Sequence, residues 1–154
     1  MQEKPSKENT LRISRIIRAP VERVYKAFID PDAMVKWFPP HGFTGKVTKS
    51  DVRVGGNYKM TFINFTTGTS ESFGGKYLEL TPNKRIRYTA QFEDPEMPEI
   101  METTIEFRNT EAGTEVSITQ KGIPPIVPIE FATMGWQESL QLLEQLVVPE
   151  IPDT

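Results

Sequence analysis

Apolar and polar residues alternate with a period of two through much of the region from residue 43 to residue 122. From Met101 to Arg108, the odd positions carry Met, Thr, Ile and Phe, whereas the even positions carry Glu, Thr, Glu and Arg. From Arg85 to Phe92, the even positions carry Ile, Tyr, Ala and Phe. Successive side chains of a strand point to opposite faces of a sheet, so this pattern predicts strands with one buried and one solvated face.

Glycine, proline, asparagine and threonine interrupt this region and divide it into six short segments, as is typical of an antiparallel meander. An isoleucine-rich segment at Leu11–Arg18 precedes them and predicts a first strand. The six later strands are predicted at Thr44–Asp51, Gly56–Phe65, Ser72–Leu80, Arg85–Phe92, Ile100–Asn109 and Thr114–Gly122.

Three further segments are predicted to be helical. The first begins at Pro20, whose fixed φ suits a first helical turn, and apolar residues follow at intervals of three and four through to Asp30. A short second helix is predicted at Ala33–Phe38, after the interruption Asp30-Pro31-Asp32. The third, Ile129–Val147, contains no proline. Its apolar stripe consists of Ile129, Ala132, Met134, Trp136, Leu140, Leu143 and Val147.

This order of elements indicates an α+β domain in which a curved seven-stranded antiparallel sheet wraps around the long C-terminal helix. Seven strands must bury one face, and only the long helix is large enough to cover it. The two short helices lie between strands one and two. We expect residues 1–10 to be a disordered lead-in, residues 11–148 to be the single domain, and residues 149–154 to be a tail.

Composition and charge exclude several classes of function. The 154 residues are 37% hydrophobic, with no apolar run near the ~20 residues of a membrane span and no secretory signal at the start, so we expect a cytoplasmic protein. The net charge of −3, without a basic stripe, argues against nucleic acid as a partner. The absence of cysteine excludes disulfides and thiolate chemistry.

Motifs for catalysis and cofactors are sparse. His41 is the single histidine, which argues against a zinc site, and no Gly-x-Ser-x-Gly elbow is present. Gly55-Gly56 and Gly74-Gly75 are not followed by predicted helices, so they lack the helix N-terminus of a phosphate cradle. The acidic segment 93–99 is interpreted as a solvated hairpin loop. We therefore predict no metal and no cofactor, and the sequence favours binding over catalysis.

Several sequence strings, taken in order, resemble the START-like superfamily and, within it, the family named for the activator of the Hsp90 ATPase, homolog one. The similarity spans about residues 11–147 and rests on the strings at residues 18–25, 30–40, 51–58, 75–80, 113–120 and 135–136, which read RAPVERVY, DPDAMVKWFPP, DVRVGGNY, GKYLEL, GTEVSITQ and GW. This resemblance implies the helix-grip, or START/Bet v 1-like, fold.

A cavity is expected because a sheet that curves around a helix leaves space unless large side chains fill it. Its candidate lining residues are Trp37, Phe38, His41, Tyr58, Met60, Phe62, Tyr77, Tyr88, Phe92, Phe107, Gln120, Met134 and Trp136. For the apolar and aromatic members, core packing is the alternative. For His41, which is expected near the cavity mouth, a plain loop role is the alternative to a ligand contact or a general base.

Three functions follow as hypotheses from the pattern and the resemblance. The first is a carrier or sensor that binds a hydrophobic or aromatic small molecule in the cavity. The second is a co-chaperone that interacts with an Hsp90-type partner, although the resemblance covers only the domain that forms the C-terminal part of the eukaryotic activator. The third is an enzyme related to polyketide cyclases and aromatases, with His41, Tyr58 or Tyr77 as candidates. The chain is expected to be a monomer or a homodimer.

Overall fold

One antiparallel sheet of seven strands forms the main layer of the structure, a computed structural model that describes residues 9–153. The strands are β1 Leu11–Ile17, β2 Phe43–Ser50, β3 Asn57–Asn64, β4 Ser70–Thr81, β5 Arg85–Phe92, β6 Met101–Thr110 and β7 Gly113–Lys121. Their spatial order is β1-β7-β6-β5-β4-β3-β2. From β2 to β7, strands that follow each other in the chain are therefore neighbours in the sheet, and β1 pairs with β7. The sheet curls into a half barrel, which confirms the helix-grip architecture.

Three helices complete the fold: α1 Val21–Ile29, α2 Pro31–Trp37 and α3 Ile129–Val147. The predicted break between the short helices is a single residue, because Asp30 ends α1 and also caps α2. Its Oδ1 accepts a hydrogen bond of 2.9 Å from the Asp32 amide, and Pro31 occupies the first turn of α2. The second helix therefore starts two residues before its predicted position at Ala33.

The alternation seen in the sequence separates the two faces of the sheet. On the concave face, Ile86, Ile105 and Ile118 form a row across β5, β6 and β7, and each is at most 1% exposed. On the convex face, Arg87 lies 3.0 Å from Glu102 in an exposed cross-strand ion pair. The concave face therefore supplies the core, and the convex face is solvated.

The long helix α3 lies against β1 and both short helices. Leu140 and Leu143, in its second half, are completely buried in the same core cluster as the isoleucine row. Trp37, at the end of α2, donates its indole N–H to the Ala27 carbonyl at 2.8 Å, which joins α2 to α1. The region where α1 and α2 meet the second half of α3 is consequently filled by side chains.

The expected bounds of the lead-in, the domain and the tail stay predictions. Residues 1–8 of the predicted lead-in lie outside the described residues. Asn9 contacts the domain, since its Nδ2 donates to the Ile123 carbonyl at 2.7 Å. Within residues 9–153, no helix is long and apolar enough to cross a membrane.

Candidate ligand-binding cavity

A cavity of about 200 Å³ lies between the first half of α3 and the concave face of the sheet. Strands β3 to β7, the end of α2, the segment 123–127 and α3 all contribute to its wall. The lining residues are Phe38, Pro40, Phe62, Phe73, Tyr88, Ala90, Phe92, Met101, Gln120, Ile123, Pro124, Val127, Ala132, Gly135, Trp136 and Ser139. An apolar cavity of ~150 Å³ can hold benzene, so this volume suits a molecule of about one or two rings.

Aromatic rings from three neighbouring strands form the sheet wall of the cavity. Phe62 on β3 meets Phe73 on β4 with ring centroids 5.0 Å apart, and Phe73 meets Phe92 on β5 at 6.0 Å, both edge to face. Phe38 covers this row, with its centroid 5.6 Å from that of Phe62. Edge-to-face pairs prefer defined orientations, so these contacts fix the shape of the wall.

The helix wall consists largely of small side chains. Ala132, Gly135 and Ser139 are spaced by three and four residues, which places them on one face of α3. A Cβ atom built on Gly135 would meet no heavy atom within 4 Å. The empty volume therefore exists partly because α3 presents small residues opposite the aromatic wall.

The end of α2 is attached to α3 at the cavity. Ser139 is 2% exposed, and its hydroxyl donates to the Phe38 carbonyl at 2.6 Å. The Phe38 ring also contacts Trp136, with centroids 5.3 Å apart. Because α3 holds both the backbone and the ring of Phe38, this residue is a fixed part of the wall.

Polar side chains cross the cavity floor in a single row. The Trp136 indole N–H donates to Gln120 Oε1 at 3.2 Å, and Gln120 Nε2 donates to Thr103 Oγ1 at 2.9 Å. Gln120 faces Thr103 in the β6–β7 register, and Thr103 faces Tyr88 in the β5–β6 register. Burial raises the pKa of Tyr88 above its usual range, although a hydrogen bond with Thr103 partly opposes this shift.

A smaller inner pocket of about 20 Å³, enough for about one water molecule, adjoins the cavity. Phe38 and Tyr88 line both spaces, and Tyr58, Tyr77 and Trp37 line only the inner one. Burial raises the pKa of Tyr58, and the neighbouring Tyr88 and Tyr77 raise it further; burial also raises the pKa of Tyr77. All three phenols are neutral near pH 7, so they can donate hydrogen bonds but are poor general bases.

The structure brings most of the sequence-predicted candidates together at these two spaces. Phe38, Phe62, Tyr88, Phe92, Gln120 and Trp136 line the cavity, while Trp37, Tyr58 and Tyr77 line the inner pocket. Their role in ligand binding stays a prediction.

Four candidates line neither space. Met60 is buried beside Gly45, and Phe107 packs in the core with ring centroids 5.5 Å from Tyr25 and 5.3 Å from Phe28. Met134 is 51% exposed, so its predicted inward orientation is wrong. Residues two positions apart in an α-helix point about 200° apart around the helix axis, so Met134 and Trp136 lie on opposite faces of α3.

His41 is also outside the cavity and lies on the surface. Its amide N–H donates to Glu138 Oε1 at 3.2 Å, and its half-exposed side chain places Nδ1 3.7 Å from Glu138 Oε2. These are the contacts of a loop histidine that joins the segment after α2 to α3. Nothing in this arrangement points His41 at a ligand.

The candidate set omitted the wall formed by Ile123, Pro124 and Val127, and it omitted the small residues of α3. The spacing of Ala132, Gly135 and Ser139 is a sequence signal that could have identified a cavity-facing helix surface.

Within the described part of the chain, no three His, Asp or Glu side chains are grouped as metal ligands would be.

The curled sheet, the long helix and the cavity between them define a protein of the helix-grip class. The chain belongs to the family described as activator of Hsp90 ATPase homolog 1-like proteins, whose family model matches residues 18–148. Among proteins with curated descriptions, none matches the chain.

Solved structures from several bacteria are similar to this chain. A crystal structure of a protein from Chromobacterium violaceum is 51% identical, covers 92% of this chain and 99% of its own, and has a TM-score of 0.91. A protein from Nitrosomonas europaea is 24% identical, covers 93% of this chain and 96% of its own, and has a TM-score of 0.74. An AHSA1-like protein from Aeromonas hydrophila is 20% identical, covers 88% of this chain and 90% of its own, and has a TM-score of 0.71. The last two similarities concern the fold alone.

Proposed function

We propose that this chain binds a small, mainly apolar or aromatic molecule in the cavity beneath α3. The observation that carries the proposal is the empty volume of about 200 Å³ between an aromatic wall and a helix face of small residues. This space is partly open to solvent and is lined mainly by apolar side chains. A mainly apolar ligand that fills it would remove this apolar surface from water, which is favourable.

The size of the cavity limits both the ligand and its affinity. Its volume of about 200 Å³ is below the ~300–1,000 Å³ of drug-sized sites, so the ligand is correspondingly small. For a compact ligand of about ten heavy atoms at ~0.6 kcal/mol per atom, the binding free energy is about −6 kcal/mol. This corresponds to a Kd of about 40 µM.

A cavity-filling variant tests this proposal. Gly135→Leu places a branched side chain where a Cβ meets open space, so it should occupy much of the volume without a clash at its first atom. The probe is α-methylstyrene, a single-ring hydrocarbon, titrated by ligand-observed NMR. We expect the unaltered protein to bind it in the micromolar range and Gly135→Leu to weaken the affinity at least tenfold.

The matched control is Gln137→Leu, which adds the same side chain to an exposed position of the same helix. This variant should bind α-methylstyrene like the unaltered protein. Equal affinities of all three proteins, or no binding of either α-methylstyrene or acetophenone to the unaltered protein, would contradict the proposal. As a separate measurement, native mass spectrometry of protein purified gently from its host gives the mass of any molecule that co-purifies with it.

The family description supports a second candidate, interaction with an Hsp90-type ATPase, because its family model matches residues 18–148. ATP turnover by an Hsp90-type ATPase, measured with and without added protein, tests this role. An unchanged rate together with no binding in a pull-down would exclude it. A cyclase- or aromatase-like activity has only the superfamily resemblance in its favour.

A further inference from the structure

The polar row on the cavity floor has a fixed hydrogen-bond direction. An indole nitrogen can only donate, so Trp136 requires the carbonyl oxygen of the Gln120 amide as its acceptor. The Gln120 NH₂ group must then face Thr103, where it donates to Oγ1 at 2.9 Å. Trp136 therefore sets the orientation of the Gln120 amide.

This direction continues from Gln120 to Tyr88. Thr103 is fully buried, and its oxygen already accepts from Gln120, so its own proton needs an acceptor. Tyr88 is the cross-strand partner of Thr103, so its oxygen is the acceptor that the strand register offers. Donation from Thr103 to the Tyr88 oxygen would satisfy both groups.

The Tyr88 proton is then the free end of the row. In residues 9–153, no hydrogen bond donated by the Tyr88 hydroxyl to a protein acceptor is found, and Tyr88 lines the cavity. Tyr58 differs, because its hydroxyl already donates to the Thr89 carbonyl at 2.7 Å. Tyr88 is partly exposed at the cavity, so its hydroxyl proton is accessible to a ligand acceptor.

The other polar groups of the wall agree with this assignment. Gln120 uses one amide hydrogen on Thr103, which leaves its second hydrogen as another donor. The Ser139 proton is committed to the Phe38 carbonyl, and Ser139 is only 2% exposed. The uncommitted hydrogens of the cavity wall thus belong to Tyr88 and Gln120.

We propose that the cavity selects apolar molecules that carry a hydrogen-bond acceptor, such as a ketone, aldehyde or ether oxygen, which accepts from the Tyr88 hydroxyl. This inference rests on the proposed function and specifies the ligand class of the same cavity. Trp136 is a positioning residue in this scheme, since it acts on the ligand through Gln120, Thr103 and Tyr88.

A matched pair of probes tests the selection. Acetophenone and α-methylstyrene have nearly the same shape, but the first has a C=O group where the second has C=CH₂. Both are titrated by ligand-observed NMR into the unaltered protein and into Tyr88→Phe. A neutral hydrogen bond is worth roughly a 3- to 10-fold change in affinity. We expect Tyr88→Phe to weaken acetophenone by about that factor and to leave α-methylstyrene within about twofold.

Two further variants separate this effect from general damage. Tyr25→Phe removes the hydroxyl of a core tyrosine that lines neither space, so it should leave the ratio of the two affinities unchanged. Trp136→Phe removes the donor that orients Gln120, so it should reduce the preference for acetophenone although Tyr88 is intact. The ratio cancels any loss of packing that both probes experience equally.

The outcomes distinguish the two proposals. If Tyr88→Phe changes both affinities equally or neither, or if the ratio responds equally to Tyr25→Phe, acceptor selection is wrong while cavity binding stands. If the unaltered protein binds neither probe, the proposed function fails together with this inference. Should Tyr88→Phe fail to fold, an unchanged ratio in Trp136→Phe would overturn acceptor selection.

Discussion

Gly135 sits in the middle of a helix at a place where a side chain has room, which makes Gly135→Ala a sharp test of the structure. Its backbone is helical, and an added Cβ would meet nothing within 4 Å. Alanine is favoured over glycine in a helix interior by ~1 kcal/mol. Burial of the new methyl group adds at most ~0.8 kcal/mol, and less here because few atoms are close enough to contact it.

The expected gain in the free energy of unfolding is therefore about 1–1.5 kcal/mol, obtained by adding the helix preference to a partial burial contribution. For a domain of this size, ~1 kcal/mol raises Tm by ~2–4 °C, so we expect Tm to rise by about 2–6 °C. Differential scanning calorimetry and urea denaturation both measure this change.

Gly68→Ala is the matched control. An added Cβ at Gly68 also meets open space, but its φ of +78° is in the left-handed region. Alanine is strained there by ~1 kcal/mol or more, so Gly68→Ala should lower stability while Gly135→Ala raises it. A loss of stability in Gly135→Ala would refute the conclusion that this face of α3 borders empty space.

Two other predictions concern the buried end of the site. Because the pKa values of Tyr58, Tyr77 and Tyr88 are raised, these phenols keep their protons in the folded state above about pH 10, whereas the unfolded chain releases them. Their contribution to the free energy of unfolding should therefore fall above about pH 10, by up to ~1.4 kcal/mol per pH unit for each tyrosine. Urea denaturation from pH 8 to pH 11 measures the slope, and a slope unaltered in Tyr58→Phe would contradict this assignment. Trp37→Phe removes the indole N–H that donates to the Ala27 carbonyl at 2.8 Å. This variant should lower the free energy of unfolding by about 2–4 kcal/mol, measured by the same urea denaturation. A loss below ~0.5 kcal/mol would show that this hydrogen bond contributes little.

The sequence by itself determined the order of the elements and the face that each strand buries. The two-residue period from Met101 to Phe107 and from Ile86 to Phe92 corresponds to the concave face, because side-chain direction along a strand depends only on local geometry. Prolines ended the helices near the expected positions for an equally local reason, since proline lacks the N–H that a helix interior requires.

Only the tertiary structure decided which inward residues pack and which border empty space. Phe107 and Phe92 both occupy the concave face, yet Phe107 contacts Tyr25 and Phe28 whereas Phe92 lines the cavity. This difference depends on where α1 and α3 cross the curled sheet. Crossing positions follow from contacts between distant segments, which the period of a single strand does not contain.

The polar row is the clearest case of a site that strand periodicity alone could not reveal. Tyr88, Thr103 and Gln120 are far apart in the chain and become neighbours through the registers of β5–β6 and β6–β7. A register shifted by one residue would move each side chain to the other face. The sequence identified Tyr88, Gln120 and Trp136 as separate candidates. Pairing between strands joined them through Thr103, because hydrogen bonding depends on distance and direction in space.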